Sequence, residues 1–204
     1  MEPTPSSLLY GGPCARVPYS THLQTAKVAM RVINLAAVSS PCVIGVDLGG
    51  TNVRARAYGP DGSPISERIE NPSNAQAGTE AIFHAVAETI LEAQTAAGVA
   101  AQKVGLSIPG HVDDDAGIVY WSPNFGTTID GVFHFWDNVQ VREPLERMTR
   151  LSVRMDNDAN LAALGEYRFG SGKNMANCLV LLTIGTGIGG GVILAPRSVS
   201  GKAE

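Results

Sequence analysis

Two segments of this chain share one pattern, in which a short apolar run is followed by a glycine-rich turn and a second strand-like run. The first reads VIGVDLGGTNVRARAY over residues 43–58, and the second reads LVLLTIGTGIGGGVILA over residues 179–195. Glycine reaches positive φ angles without steric cost, so such turns can point successive backbone N–H groups into a concavity that suits anionic oxygens. The pattern predicts two β-hairpins, each of which either binds an anion or is a tight turn that binds nothing.

The second turn also matches the spacing G-x-G-x-x-G at residues 185–190, which is typical of dinucleotide-binding folds. In those folds a helix follows the glycines, because the pyrophosphate binds at the N-terminus of that helix. Here GGGVILAP follows at residues 189–196. Each glycine costs a helix about 1 kcal/mol relative to alanine, and proline costs about 3 kcal/mol. No helix begins there, so the context excludes a nicotinamide dinucleotide site.

Periodicity along the chain predicts a mixed α/β sheet. Alternating residues predict three successive antiparallel strands at 42–48, 52–58 and 64–70, with Asp61-Gly62 as a hairpin turn between the last two. Apolar residues at helical spacing predict a helix over TEAIFHAVAETILEAQTAAG that Gly98 ends. Further strands are expected at 103–108, 117–121, 151–155, 177–184 and 191–195, helices at 143–150 and 160–167, and an aromatic loop at 122–138.

The charge and cysteine content of the chain exclude several classes of protein. The 204 residues carry a formal net charge of −4, so no global positive field would attract nucleic acid or an anionic membrane. No apolar run approaches the roughly 18–20 residues that a membrane helix needs. The 3 cysteines lie far apart, which favours reduced thiols and a cytoplasmic location. Residues 1–41 lack a clear period and predict a partly disordered N-terminal extension, with Met30 as an alternative start to Met1.

Motifs in the remaining chain identify a family resemblance. DLGGTN, GLSIPGHVD, SPNFG, DNDANLAALGE and TIGTGIGGGVI occur in the order and approximate spacing of the ROK family (repressor, open reading frame, kinase), which includes bacterial glucokinases. The resemblance covers residues 42 to about 195. It implies an α/β, actin-like ATPase (ribonuclease H-like) fold with a mixed sheet, in which two lobes clasp a nucleotide between paired β-hairpin turns.

The resemblance implies a role for particular residues. The acid of the N-D-A-N motif, here Asp158, would be the general base that takes a proton from the attacking sugar hydroxyl, although Asp158 also suits a helix N-cap. Asn157 and Asn124 would bind sugar hydroxyls, and Pro109-Gly110 would line the sugar pocket. Asn124 as a turn residue and Pro109-Gly110 as a strand terminator are the simpler alternatives. Residues expected to bind the phosphates of ATP and Mg²⁺ are Asp47, Gly49, Gly50, Thr51, Asn52, Gly185, Thr186, Gly187 and Gly189.

The resemblance also sets an expectation for the domains. Residues 42–140 would form the N-terminal lobe with the first phosphate turn, and residues 141–204 the start of a second lobe with Asp158 and the second phosphate turn. The family usually continues with a further sugar-binding segment, a zinc site and helices around the adenosine, and the residues after Gly191 match none of these. We therefore expect a C-terminally truncated chain, with an incomplete second lobe and no zinc ligands.

The function that the resemblance implies is ATP-dependent phosphorylation of a hexose by a glucokinase-like enzyme. The alternative is a non-catalytic sugar-binding or regulatory ROK protein, and a plain actin-like ATPase is a third reading. Residues 1–41 are too short and too rich in proline for the helix-turn-helix of the repressors. The sugar, the activity of this chain alone and its oligomeric state stay open, although homodimers are common among relatives.

Overall fold

A five-stranded mixed sheet and one long helix organise the part of the chain that is described. The structure is a computed structural model that describes residues 42–173, 178–184 and 187–194. Its elements are β1 (Val43–Leu48), β2 (Asn52–Tyr58), β3 (Ile69–Pro72), α1 (Thr79–Ala97), β4 (Lys103–Ile108), β5 (His111–Asp113), β6 (Ile118–Ile129), β7 (Val132–Gln140), α2 (Arg142–Thr149), β8 (Ser152–Asn157), α3 (Asp158–Arg168), β9 (Cys178–Ile184) and β10 (Ile188–Leu194).

The large sheet has the strand order β3-β2-β1-β4-β8. β1 pairs antiparallel with β2, and β2 pairs antiparallel with β3, as the sequence predicts. β4 pairs parallel with both β1 and β8. The sheet is therefore mixed, and the carboxyl ends of its three parallel strands lie at one edge.

One face of this sheet carries the hydrophobic core. Alternate residues of β1 and β4 are buried, among them Ile44, Val46 and Leu106. The predicted helix is confirmed as α1, which buries its apolar stripe in the same core, while Leu91 at the margin of the stripe is 40% exposed. Gly98 ends the helix in the left-handed conformation with φ 65°, as a glycine C-cap does.

Two predictions from the sequence are wrong in this region. The third strand occupies residues 69–72 instead of 64–70. Ser66 explains the shift. Its side-chain hydroxyl accepts the Ala57 N–H at 3.0 Å, and its backbone carbonyl accepts the Arg56 Nε–H at 2.8 Å. The segment before Ile69 keeps an isolated bridge between Pro64 and Tyr58, but the bonds of Ser66 interrupt the regular ladder there.

The predicted aromatic loop at 122–138 is also wrong, because these residues belong to the long hairpin of β6 and β7. Asp130 and Gly131 form its turn with φ values of 50° and 77°, the positive angles that a type I′ turn requires. Trp136 and Phe125 face the core, and their ring centroids lie 5.0 Å apart. Burial of these two rings stabilises a hairpin where the glycine and proline content had predicted a loop.

The second predicted hairpin is formed by β9 and β10, which pair antiparallel in a separate two-stranded sheet. It packs against α3 through its glycines, since a Cβ on Gly191 would lie 2.6 Å from the Ala159 carbonyl oxygen and from the Ala163 Cβ. Its other face carries apolar side chains that are more than half exposed: Val180, Leu182, Ile184, Ile188, Val192 and Leu194.

The predicted division into two lobes stays a prediction. β8, which we assigned to the second lobe, shares the five-stranded sheet with β1 to β4. The predicted N-terminal extension at 1–41 lies outside the described residues. Within the described ranges, no helix has the length and apolar character needed to cross a membrane.

Candidate functional site

The carboxyl ends of the three parallel strands bring the motif residues together. Asp47 in β1 is in register with Ser107 in β4, which is in register with Asp156 in β8. Each of these strands is followed within a few residues by one of the predicted site segments. Ligands of open α/β sheets bind at such an edge, outside the carboxyl ends of the strands. The topology therefore gathers residues that are up to about 110 positions apart in the sequence.

The first glycine turn connects β1 to β2 and is tied to its surroundings by hydrogen bonds. The Gly49 N–H donates to the Asn52 carbonyl at 2.9 Å, and the Thr51 carbonyl accepts the Ser73 N–H at 2.9 Å. The Asn52 side chain donates to Glu70 Oε1 at 2.7 Å. Gly50 and Thr51 form the exposed tip of the turn. The tip, with its backbone amides, is the part of the turn that is open to a ligand.

Asp47 lies immediately beside this turn, with its side chain 56% exposed. Its carboxylate accepts a hydrogen bond from the Ser107 hydroxyl at 3.4 Å and lies 3.7 Å from the Arg54 guanidinium. Arg54 also binds Glu70, and this hydrogen bond lowers the pKa of the Glu70 carboxyl below its ordinary value. The sequence analysis missed Ser107 and Arg54. Their signal was register, because each stands directly opposite Asp47 on a neighbouring strand.

The predicted sugar-binding segments meet the first turn. A Cβ on Gly50 would lie 3.7 Å from the Asn124 Cβ, so the tip of the turn and the Asn124 side chain are neighbours. Gly110 follows half-buried Pro109 and has φ 130°. Any Cβ at Gly110 would collide with the Trp121 carbonyl oxygen. Gly110 is therefore required for the backbone of the loop to pass close to β6.

Asn157 and Asp158 stand at the junction of β8 and α3. The N-cap of the helix is Asn157, whose Oδ1 accepts the N–H groups of Ala159 at 2.9 Å and Asn160 at 3.3 Å. The suggestion that Asp158 caps the helix is wrong, because the helix begins two residues earlier than predicted and Asp158 is its first residue. Asn157 Nδ2 donates to the Gly110 carbonyl at 3.0 Å, which joins the two predicted sugar-binding segments.

The Asp158 side chain is exposed at the N-terminus of α3. Its Oδ1 accepts the Ala159 N–H at 2.9 Å, and the positive end of the helix dipole favours a carboxylate there. The neighbouring Asp156 is engaged elsewhere, since its Oδ1 accepts Asn160 Nδ2 at 3.0 Å and the Asn157 N–H at 2.6 Å. Asp158 is therefore the acid of this motif whose side chain is exposed at the edge of the sheet.

The second glycine turn lies beside the same helix. Gly185 and Thr186 fall outside the described residues. Gly187 is exposed, and a Cβ there would meet nothing within 4 Å. A Cβ on Gly189 would lie 3.1 Å from the Ala159 Cβ. Gly189 thus has a packing reason to be glycine, because it lets β10 approach the residue that follows Asp158.

The residues that could hold Mg²⁺ and phosphate fit those groups in their chemistry. Mg²⁺ is commonly bound by one or two carboxylates together with substrate phosphates, and Asp47 offers an exposed carboxylate next to the first turn. Among the described residues, no group of three or more His, Cys, Asp or Glu is placed to hold a metal ion.

Comparisons with known proteins agree with this geometry. The ROK family model matches residues 43–203. The chain is 38% identical to the glucokinase of Thermotoga maritima over 78% of its own length and 47% of that protein. It is also 28% identical to the xylose repressor of Caldicellulosiruptor bescii, over 79% of its own length and 38% of that protein.

The comparison with solved structures also finds a ROK family protein. The ROK family glucokinase from Streptomyces griseus, in complex with glucose and AMPPNP, superposes with a TM-score of 0.64 at 33% identity. The match covers 75% of this chain and 44% of that one. The chain thus spans less than half the length of each of these three relatives.

The fold is therefore that of the actin-like ATPases, with the mixed sheet that the sequence predicts. The family match covers well over half of the chain, and the chain belongs to the ROK family.

Proposed function

We propose that this chain carries part of the site of an ATP-dependent hexose kinase, with Asp158 as the general base. The observation that supports this proposal is the exposed Asp158 carboxylate, which follows β8 at the edge of the sheet where the first glycine turn follows β1. The kinase relatives support the reaction class, and the glucokinases among them favour glucose as the sugar.

In this proposal the two glycine turns hold the phosphates. When bound, ATP supplies the phosphoryl group, and Mg²⁺ neutralises charge on its oxygens. The Gly49–Asn52 turn offers backbone N–H groups at its exposed tip, and Asp47 offers a carboxylate for the cation. Arg54 keeps Asp47 in place from the neighbouring strand. Gly187 and Gly189 of the second turn would also bind phosphate, and the family resemblance predicts the same role for Gly185 and Thr186, which lie outside the described residues.

Asp158 would accept the proton of the attacking sugar hydroxyl. A carboxylate that reaches this hydroxyl can take its proton as the phosphoryl group is transferred. Asn124 would bind sugar hydroxyls, and Pro109-Gly110 would line the pocket. An amide nitrogen carries two N–H groups, so Asn157 could donate one to the sugar while the other holds the Gly110 carbonyl.

A second candidate is a non-catalytic sugar-binding or regulatory protein. The likeness to a xylose repressor favours it, because the same family includes proteins named for regulation. Sugar binding without ATP turnover would separate this candidate from the kinase. The cytoplasmic location and a homo-oligomeric state stay predictions under either candidate.

The test is sugar-dependent ATP consumption by the purified chain over a panel of hexoses with Mg²⁺. We expect Asp158→Asn to lower kcat about 10²–10⁴-fold, as removal of a general base does. Asp130→Asn is the matched control, because it makes the same change at the exposed hairpin turn and should leave kcat unchanged. Equal turnover in Asp158→Asn and wild type would contradict the assignment of the base. Hexose binding measured by calorimetry without any turnover would support the regulatory candidate.

A further inference from the structure

The free edge of β8 is held by carboxylates instead of by another strand. Among the described strands, β8 is the last of the sheet and pairs with β4 alone. The Ser152 N–H points toward that side and donates to the Gln102 carbonyl at 3.0 Å. In a strand, alternate N–H groups point to opposite sides, so those of Val153, Met155 and Asn157 point to the free edge.

Each of these three outward N–H groups donates to a carboxylate. Val153 donates to Glu146 Oε1 at 2.8 Å, and Met155 donates to Asp114 Oδ1 at 3.0 Å. The third, Asn157, donates to the side chain of its own neighbour, Asp156, at 2.6 Å. We call Asp114 and Glu146 the edge carboxylates, because each reaches β8 from a different element. They satisfy backbone donors that an unpaired strand edge otherwise offers to other chains.

Asp114 is the better anchored of the two edge carboxylates. Its side chain is 22% exposed, and its Oδ1 accepts Arg142 Nη2 at 2.6 Å from the start of α2. Its other oxygen pairs with Arg154 of β8 itself. Two guanidinium partners compensate the cost of taking this charge out of water. Asp114 therefore links the turn after β5, the start of α2 and the edge of β8.

Two hydrogen bonds join the segment from Gly110 to Asp114 to the end of β8. The Gly110 carbonyl accepts Asn157 Nδ2 at 3.0 Å, and the Asp114 carboxylate accepts the Met155 N–H at 3.0 Å. These contacts lie on either side of Asp156, and Asp158 follows directly. Loss of the Asp114 contact would free the segment that carries the Asn157 cap and would let the start of α3 shift. A misplacement of about 1 Å in a reacting group can cost about 10²-fold in rate.

We propose that Asp114 is a positioning residue, which fixes residues 155–160 and through them the carboxylate of Asp158. This inference rests on the proposed function for its catalytic consequence only. Its structural part concerns the order of the junction between β8 and α3, and it can be tested without any turnover. Glu146 provides the matched control, since its carboxylate accepts the N–H of Val153, which lies five residues before Asp158.

The experiment compares Asp114→Ala with Glu146→Ala by amide hydrogen exchange of the full chain. Both variants should speed exchange at their own partners, Met155 and Val153. Only Asp114→Ala should also speed exchange, at least tenfold, at Ala159 and Asn160, whose N–H groups bind the Asn157 side chain. Unchanged exchange at Ala159 and Asn160 in Asp114→Ala would overturn the proposal.

Kinetics provide the second readout. Asp114→Ala should lower kcat at least tenfold with KM for ATP within about twofold of wild type, and Glu146→Ala should leave kcat within about twofold. Equal losses of kcat in the two variants would show a general structural effect and refute a positioning role. If the wild-type chain has no turnover, kinase activity of this chain by itself is ruled out while hydrogen exchange still decides the role of Asp114. If Asp114→Ala does not fold, Asp114→Asn, which keeps one oxygen acceptor, should show an intermediate increase at the same amides.

Discussion

The two glycine-rich hairpins of this chain have similar sequences and very different surroundings. The first, β1–β2, lies in the middle of a five-stranded sheet, and Ile44, Val53 and Leu48 in it are at most 1% exposed. The second, β9–β10, forms a sheet by itself and leaves Leu182 67% and Ile184 82% exposed. One hairpin therefore belongs to the core, whereas the other packs mainly on α3 and on Gly172 just after it.

The difference shows that the sequence pattern determines the local hairpin structure, whereas the elements packed around each hairpin determine its stability. An isolated two-stranded hairpin is marginally stable in water, and additional strands or a packed helix must supply the remainder. The first turn is held by β3 and β4 on both sides and by the Ser73 N–H. The second turn depends on the contact of Gly189 and Gly191 with α3. The four predictions that follow test this contrast.

The largest effect is expected in the core next to the first hairpin. Ile82→Ala should lower the free energy of unfolding by about 2–5 kcal/mol, because Ile82 is fully buried and its truncation leaves a cavity. Leu182→Ala in the second hairpin should change it by less than about 0.5 kcal/mol. Urea unfolding of both variants measures the difference. An equal cost for Leu182→Ala would show that the hairpin face is covered in solution.

The contact between the second hairpin and α3 should give the next effect. Gly191→Ala should destabilise this contact by about 1–3 kcal/mol, because its Cβ would overlap Ala159 and Ala163. Gly187→Ala is the control, since its Cβ would meet nothing within 4 Å. Hydrogen exchange across β9 and β10 reports the loss. Equal exchange in the two alanine variants would mean that the hairpin does not lie on the helix.

The cap of α3 should have a smaller effect. Asn157→Ala should cost about 1 kcal/mol, because the Asn160 N–H loses its acceptor and the Ala159 N–H keeps Asp158 Oδ1 alone of its two. Asn157→Asp keeps a capping oxygen and should recover most of that stability while losing the bond to Gly110. Thermal unfolding followed by circular dichroism distinguishes the two variants. If Asn157→Asp is as unstable as Asn157→Ala, the bond to Gly110 is the important one.

The smallest effect is expected from the pH dependence beside the first turn. The hydrogen bond from Arg54 lowers the pKa of Glu70 below its ordinary 4.5 in the folded protein. Its contribution to stability is therefore present above about pH 4.5 and is lost as the pH falls through the lower folded value. Glu70→Gln should be slightly less stable than wild type at pH 7, and the gap should close at low pH.

Urea midpoints at several pH values measure that gap. Glu67→Gln at a neighbouring exposed position is the control and should follow wild type throughout. A gap that stays constant from pH 7 to pH 3 would mean that the Glu70 carboxylate contributes through packing and not through its charge. The ion pair would then have no part in holding Arg54 beside Asp47.

Local patterns predicted the elements whose stabilising contacts agree with them. β2 and α1 were found where alternation, helical spacing and Gly98 placed them. β7 was missed although Asp130-Gly131 is a hairpin signal, because glycine, proline and asparagine in the preceding residues favoured a loop. β3 was misplaced because a side chain, Ser66, took over backbone hydrogen bonds next to β2. A pattern of apolar residues gives no sign that a side chain will replace backbone hydrogen bonds in this way.

The sequence singled out the motif residues of the candidate site but not the residues that support them. Motif order predicted roles for Asp47, Gly110 and Asp158 that stay predictions, and the parallel strands bring their segments to one edge. The sequence analysis did not single out Asp114. Its role depends on the approach of Arg142 and β8, which are distant in sequence and meet only in the folded chain.

The contact between β10 and α3 has a mechanical consequence. Glycine backbone lies directly against the alanines of the helix, and no long side chain stands between them to absorb a displacement. Closely packed interiors have low compressibility and transmit strain. A displacement of β10 would therefore be transmitted to the first turn of α3, where Ala159 follows Asp158.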